Sequence, residues 1–366
     1  MTESDSTARY GDEAVFPADT TQAGWRCLAG DEEIRDLGGF DPERLRVLGE
    51  TQRRLCAGSP FGIFIVRHGL MVAELTSDDC VWGTRFDIYS CTKSFTSLAW
   101  GLLLDDQRSA GQGAVSLSSP IYEMMPQLGP LTDPRKERIT LEHVLSMTSG
   151  MAGEDTGVWG CVTDSTHGPY EFALGLEPNR YGRSVGTLAA DPGTRWDYSD
   201  PGYIHLGVAF RHVAGREMAD FLEERIFQRI GMGSVSWDPV GGEGHIGPHT
   251  AATNGVHITG RDLARAGLLL LRKGAWRGTA IVPAWWIDLA TRPSQAFNPA
   301  YGLGFWTNQK LAYLPTAPAD MFLMAGYRAN RCYVVPSLDL VVARVGQGPV
   351  TWDEKVVIQS VIDAIV

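Results

Sequence analysis

Residues 88–97 read IYSCTKSFTS, and the reading of Ser90-Cys91-Thr92-Lys93 inside them decides the fold. They end a short β-rich run, TRFDIYS (84–90), and open a strongly apolar helical stretch, SFTSLAWGLLLDDQ (94–107). Ser90 and Lys93 are therefore predicted at a strand-to-helix junction. Three residues apart on one helical turn, hydroxyl and ammonium share a face within hydrogen-bond reach. The positive end of the helix dipole favours an alkoxide at Ser90 and a neutral amine at Lys93, and burial adds to the second effect. The alternative is an ordinary capping serine followed by a solvated lysine, and the rest of the chain has to choose between the two.

Upstream, DPERLRVLGETQRRLCAG (41–58) predicts a helix with Asp41 as N-cap, Pro42 at its first position and Gly58 closing it. FGIFIVRHGLMVAEL (61–75) predicts a hairpin about Arg67-His68-Gly69. Residues 1–40 are polar with isolated aromatics, expected as an arm laid over the body. Downstream, TLEHVLSMTSG (140–150), YIHLGVAFRHVAG (203–215) and EMADFLEERIFQRIGM (217–232) are helical, with no convincing strand between. Two more helices, GRDLARAGLLLLRKG (260–274) and PAWWIDLATR (283–292), precede strand-like AYGLGFWTN (300–308), FLMAGYRANRCYVVP (322–336) and DLVVARVG (339–346). The last two pair through Pro336-Ser337-Leu338, and an amphipathic helix (352–366) closes the chain. This order predicts an α+β fold, with an antiparallel sheet built from N- and C-terminal segments (1–115 and 245–366), flanked by helices, and an inserted all-helical domain (116–244).

With 366 residues and 44% hydrophobic content, the chain can fill a large core. A formal charge of −11 with no basic run argues against nucleic acid or an anionic membrane surface as partner. The polar, acidic first thirty residues are unlike a secretory signal, so a cytoplasmic location is expected. Cys27, Cys56, Cys80, Cys91, Cys161 and Cys332 form neither a CxxC pair nor a metal spacing and read as free thiols. Cys91 adjoins Ser90 but has no nearby histidine as base. His245 and His249 have the i, i+4 spacing of a metal pair, yet Gly247 and Pro248 between them argue against a helix, and no metal or cofactor is expected.

Ser90-Cys91-Thr92-Lys93, then Tyr198-Ser199-Asp200, then Gly326, in that order and at about those separations, resemble the serine β-lactamase and penicillin-binding-protein superfamily. The likeness is strongest to its class C-like branch, which includes family VIII carboxylesterases, 6-aminohexanoate-oligomer hydrolases, D-amino-acid amidases and several acyltransferases. It covers roughly residues 45–365. The resemblance implies Ser90 as the acylated nucleophile, Lys93 as the group that takes or relays its proton, and Tyr198 as the shuttle to the leaving group. That shuttle needs a phenol well below its usual pKa of ~10, which an adjacent ammonium would supply. The N–H groups of Ser90 and Tyr327 are implied as the oxyanion hole, with Gly326 permitting close approach.

The chain departs from the family pattern in two places. Asp200 stands where asparagine is usual; a carboxylate cannot donate to a substrate carbonyl, and close to Lys93 it would hold that lysine charged. Either Asp200 is turned away or protonated, or it has a new task such as gripping a cationic substrate amine. In the third motif Met324-Ala325-Gly326 replaces the lysine-containing triplet, so the cation that helps hold the carboxylate of β-lactams and stem peptides is lost and those substrates are disfavoured. Arg328 and Arg331 are candidates for another anion site. Residues 153–175 (GEDTGVWGCVTDSTHGPYEFALG) are expected to carry an aromatic lid that includes Trp159, His167 and Tyr170. With Asp200, Ala325, Gly326 and Arg328, Trp159 and Tyr170 form the expected substrate-binding set. The expected activity is that of a serine hydrolase or acyltransferase acting on a small ester or amide, with water or an amine as acyl acceptor. The rivals are a biosynthetic transacylase making amides without ATP, a β-lactamase or D-peptidase, and a non-catalytic ligand-binding descendant of the fold.

Overall fold

The computed structural model describes residues 16–17, 24–81, 83–111, 115–125, 128, 131–158, 168–179, 181–233, 235–242, 244–347 and 355–366. Helix α1 (Gly30–Asp36) precedes α2 (Pro42–Leu55), which Asp41 caps by accepting from the N–H of Glu43 at 2.9 Å. Strands β1 (Phe61–Arg67) and β2 (Leu70–Thr76) form the expected hairpin. His68 and Gly69 take the positive φ values, 55° and 77°, that a two-residue turn between twisted strands requires.

Strand β3 (Arg85–Asp87) is shorter than its sequence suggests. The Asp87 carboxylate accepts the Tyr89 N–H at 2.8 Å, Tyr89 adopts φ 49°, and Tyr89–Cys91 form a 3-10 turn. Ser90 thus lies on a tight turn that runs directly into helix α3 (Thr92–Ser109). Every residue of α3 from Thr92 to Leu104 is buried, and the hydroxyls of Ser94, Thr96 and Ser97 in its first turns donate to the backbone carbonyls of Gly304, Ala252 and Leu303.

The predicted helices appear as α4 (Leu141–Leu145), α6 (Asp200–Ala214) and α7 (Met218–Leu222), whereas α5 (Pro169–Leu174) falls in the stretch expected as a lid, and the end of the segment expected to be all-helical, 236–240, forms two short strands. Strand β4 (Ser236–Trp237) then pairs with β7 (Val256–Thr259), which also pairs with β3, and β5 (Pro239–Val240) pairs with β6 (His249–Thr250). Helix α8 (Gly260–Leu271), the ribbon β8 (Ala275–Trp276) with β9 (Thr279–Ala280), and α9 (Ala284–Ala290) lead back to the main sheet.

That sheet runs β10 (Trp306–Thr307), β11 (Phe322–Gly326), β12 (Asn330–Val335), β13 (Leu340–Gly346), β1, β2, every pair antiparallel, so N- and C-terminal segments meet at β13 and β1. Side chains alternate between its faces, except at an irregularity of the β1–β2 pairing next to Val72. Ile63, Ile65, Leu340 and Val342 join one core cluster with Leu45 and Leu48 of α2 and Val357, Ile358 and Val361 of the closing helix α10 (Lys355–Asp363). Phe64, Val66, Val341 and Ala343 join the other, with α3 and α8. Two predicted strands are corrected. Only Trp306–Thr307 of 300–308 is a strand, and 322–336 is a hairpin that reverses at Tyr327-Arg328-Ala329.

Candidate active site

Three segments meet at the start of α3. Lys93, only 1% exposed, points its Nζ at Ser90 Oγ (2.8 Å), the Thr253 carbonyl (3.1 Å) and Asp200 Oδ1 (2.7 Å). Ser90 Oγ and the Thr253 carbonyl accept hydrogen bonds from the Lys93 amine, and the Asp200 carboxylate is its ion-pair partner. Ser199 caps α6 by accepting the Gly202 N–H at 3.0 Å, which places Asp200 in the first turn, where the helix dipole favours a carboxylate. Asp200 is therefore neither turned away nor free for a substrate amine; it is ion-paired to Lys93. Its Oδ1 is buried and accepts no hydrogen bond of good geometry, so the 2.7 Å contact is an ion pair rather than an aligned bond.

Tyr198 lies against the same lysine, with Lys93 Nζ 4.9 Å from its ring centroid. Trp306 stacks on the ring at 6.2 Å and 19°, and Tyr301 meets it edge-on at 6.1 Å. Burial, and then the charge of Asp200, push the phenol well above its ordinary value, against a smaller lowering by Ser90. The expected depressed phenol is thus overturned. The ammonium that was to lower it is neutralised by the carboxylate beside it.

Gly326 ends β11 against the 88–91 turn that carries Ser90. A Cβ built there would lie 2.0 Å from Ile88 O and 3.1 Å from Cys91 N, so only glycine allows the approach. The next residue, Tyr327, meets the ring of Tyr89, the residue before Ser90, edge-on at 5.5 Å. Arg328 and Ala329 hold the turn in the left-handed region, at φ 56° and 60°. Asn330 fixes it from below by donating to Tyr327 O at 2.8 Å and accepting the Cys91 thiol at 3.3 Å through its own carbonyl.

Several expected site residues are elsewhere. Ala325 packs on the opposite face of the sheet from Met324, against the α2/α10 cluster, as strand alternation dictates. Tyr170 is wholly buried in α5, stacked on His205, and belongs to the core rather than to a lid, whereas Trp159 and His167 lie outside the described residues. Arg328 is hydrogen-bonded to Gln347, and Arg331 donates to the carbonyls of Gly326 and Asn330, so both brace the hairpin turn. Burial pushes the Cys91 thiol up to about 12, which makes it a poor nucleophile. His249 is bonded to Glu217 at 3.0 Å, while the His245 backbone donates to Glu171.

Sequence reasoning missed Glu154. Its N–H donates to Tyr198 O at 2.9 Å, and the Asp197 carboxylate binds the neighbouring N–H groups of Gly153 (3.1 Å) and Asp155 (3.0 Å) and the Thr156 hydroxyl (2.9 Å). The Ser199 hydroxyl donates to Ala152 O at 2.8 Å. Residues 152–156 are thus bolted to the Tyr198 motif. Burial, then repulsion by Asp200, raise the Glu154 carboxyl to about 7, with Lys93 pulling the other way.

The sequence model of the Beta-lactamase family matches residues 63–364. The Unguisins hydrolase ungD' of Aspergillus campestris is 26% identical over 168 residues, 46% of this chain, and the match spans under a third of that relative's length, 30%. Among solved structures, a penicillin-binding-protein homologue from Caulobacter crescentus superposes with a TM-score of 0.62 at 17% identity, over 84% of this chain and 93% of its own. A family VIII carboxylesterase gives 0.64 at 15% identity, covering 88% and 97%. EstCE1, a hydrolase with promiscuous acyltransferase activity, gives 0.63 at 17% identity, covering 92% and 99%. At such identities the structural likeness establishes the fold. Among the described residues no helix is long and apolar enough to cross a membrane. The family match extends over most of the chain, and the chain belongs to the Beta-lactamase family.

Proposed function

We propose that this chain is a serine hydrolase or acyltransferase that takes the acyl group of an ester or amide onto Ser90 and passes it to water or to an amine. The observation that carries the reading is the 2.8 Å contact between Lys93 Nζ and Ser90 Oγ at the mouth of a buried helix. A satisfied capping serine with a solvated lysine is incompatible with a lysine 1% exposed. Gly326 at the edge of the nucleophile turn supports the Tyr327 and Ser90 N–H groups as the oxyanion hole. Tyr198, with its phenol held neutral, suits a donor that orients Ser90 and protonates the leaving group rather than a phenolate base. Met324 in place of a cation argues against β-lactams and D-peptides as substrates, since a buried apolar side chain offers their carboxylate nothing.

Mass spectrometry of the products from activated esters and simple amides, with and without primary amines, tests the reading. The wild type is expected to form product through a Ser90 adduct, and Ser90→Ala, Lys93→Ala and Tyr198→Phe each to lose most activity while staying folded. Full activity in Ser90→Ala would refute the assignment. Amide product in preference to free acid identifies a transacylase; free acid alone identifies a hydrolase.

A further inference from the structure

We propose that Asp200 is the terminal proton acceptor of this site: Lys93 takes the proton of Ser90 while passing one of its own to Asp200. The inference rests on the acyl-enzyme reading above and concerns how its first step is driven. Lys93 Nζ stands between two oxygens, 2.8 Å from Ser90 Oγ and 2.7 Å from Asp200 Oδ1, both within proton-transfer reach. An ammonium ion-paired in this way has no lone pair to offer Ser90, so it can accept a proton only by giving one up. Among the described residues, the recipient in contact that can be protonated is Asp200, because the third neighbour is the Thr253 carbonyl. The Asp200 oxygen that faces the lysine is buried and has no competing donor, which leaves a lone pair for the incoming proton.

The step balances. Ser90 Oγ forms its bond to the substrate carbonyl carbon as its O–H bond breaks. That proton joins Lys93, a Lys93 N–H bond breaks, and its proton joins Asp200. The charged pair Lys93–Asp200 becomes an ammonium beside a neutral acid, and the negative charge now lies on the tetrahedral oxygen in the oxyanion hole. When the leaving group departs with a proton, relayed through the neutral phenol of Tyr198, the pair resets.

The test is the pre-steady-state acylation rate with p-nitrophenyl esters from pH 5 to 9, with the Ser90 adduct confirmed by intact mass. Asp200→Asn should slow acylation by about 100-fold or more, and Asp200→Glu should recover about a tenth of the wild-type rate. A proton inventory of the wild type needs no variant and should be bowed, as two protons in flight demand. An Asp200→Asn enzyme that acylates as fast as wild type, or a linear inventory, overturns the relay alone. No adduct on wild-type Ser90 with any ester sinks the acyl-enzyme reading itself.

Discussion

Replacing Gly326 by alanine adds one methyl group where the strand end meets the nucleophile turn. That carbon would come 2.0 Å from Ile88 O and 3.1 Å from Cys91 N, more than 1 Å short of ordinary contact with the first. Both neighbours are backbone, so no side chain can swing aside; either β11 retreats, taking the Tyr327 N–H with it, or the 88–91 turn shifts, taking Ser90. Displacements near 1 Å in a preorganised site cost on the order of 100-fold in rate, and loss of one oxyanion donor costs about 100- to 1,000-fold. Gly326→Ala should therefore lose at least about 100-fold in kcat/KM, mostly in kcat, with about 1–3 kcal/mol of stability from overpacking. Gly267→Ala separates the two effects. Its added carbon would press on the side chains of Val341 and Cys332 inside the core, 2.5 and 2.7 Å away, so a similar stability loss should leave kcat intact. Ester turnover and denaturant melts on both variants suffice. Gly326→Ala within about threefold of wild type would refute the claim that this approach builds the oxyanion hole.

Two further outcomes are expected. His205, mid-way along α6 and 1% exposed, contacts the Tyr122 hydroxyl at 3.3 Å and the Tyr170 carbonyl at 3.2 Å, and burial lowers its pKa from 6.5 to about 4. A depressed folded-state pKa means stability that is fully present above pH 6.5 and lost as pH falls towards 4, about 3 kcal/mol in all. Unfolding free energies of wild type minus His205→Gln should fall across that window and level off below it; a flat difference would contradict a buried neutral imidazole. Cys91 is a structural thiol bonded to Asn330 O, so Cys91→Ala should keep its activity and iodoacetamide should leave the folded enzyme active, whereas rapid inactivation through Cys91 would show a reactive thiol.

The Ser90–Lys93 pair was legible because a three-residue spacing at a helix start fixes which side chains share a face, and the β1–β2 hairpin because His68-Gly69 is an explicit turn signal. The β11–β12 reversal was not, because Tyr327-Arg328-Ala329 contains neither glycine nor proline; tertiary packing, not local propensity, holds Arg328 and Ala329 at positive φ. Asp200 was visible as an oddity, but whether it faced Lys93 depended on the first turn of α6 and its Ser199 cap. The behaviour of Tyr198 followed from that pairing and could not be read without it. Tyr170 looked like a lid residue by its place in the chain, yet α5 turns it into the core beside His205. Glu154 carried no motif, and its place depends on the Asp197 carboxylate gathering two N–H groups and a hydroxyl from a segment over forty positions away.

The left-handed pair at Arg328 and Ala329 has a consequence for laboratory evolution. Each such residue costs roughly 1 kcal/mol relative to glycine, so Ala329→Gly is an accessible stabilising change. The same change loosens the loop that carries the Tyr327 amide. A library screened for heat resistance alone would drift towards glycine here and shed turnover, whereas one screened for turnover would keep the strained residue, so position 329 should report which pressure a lineage has met.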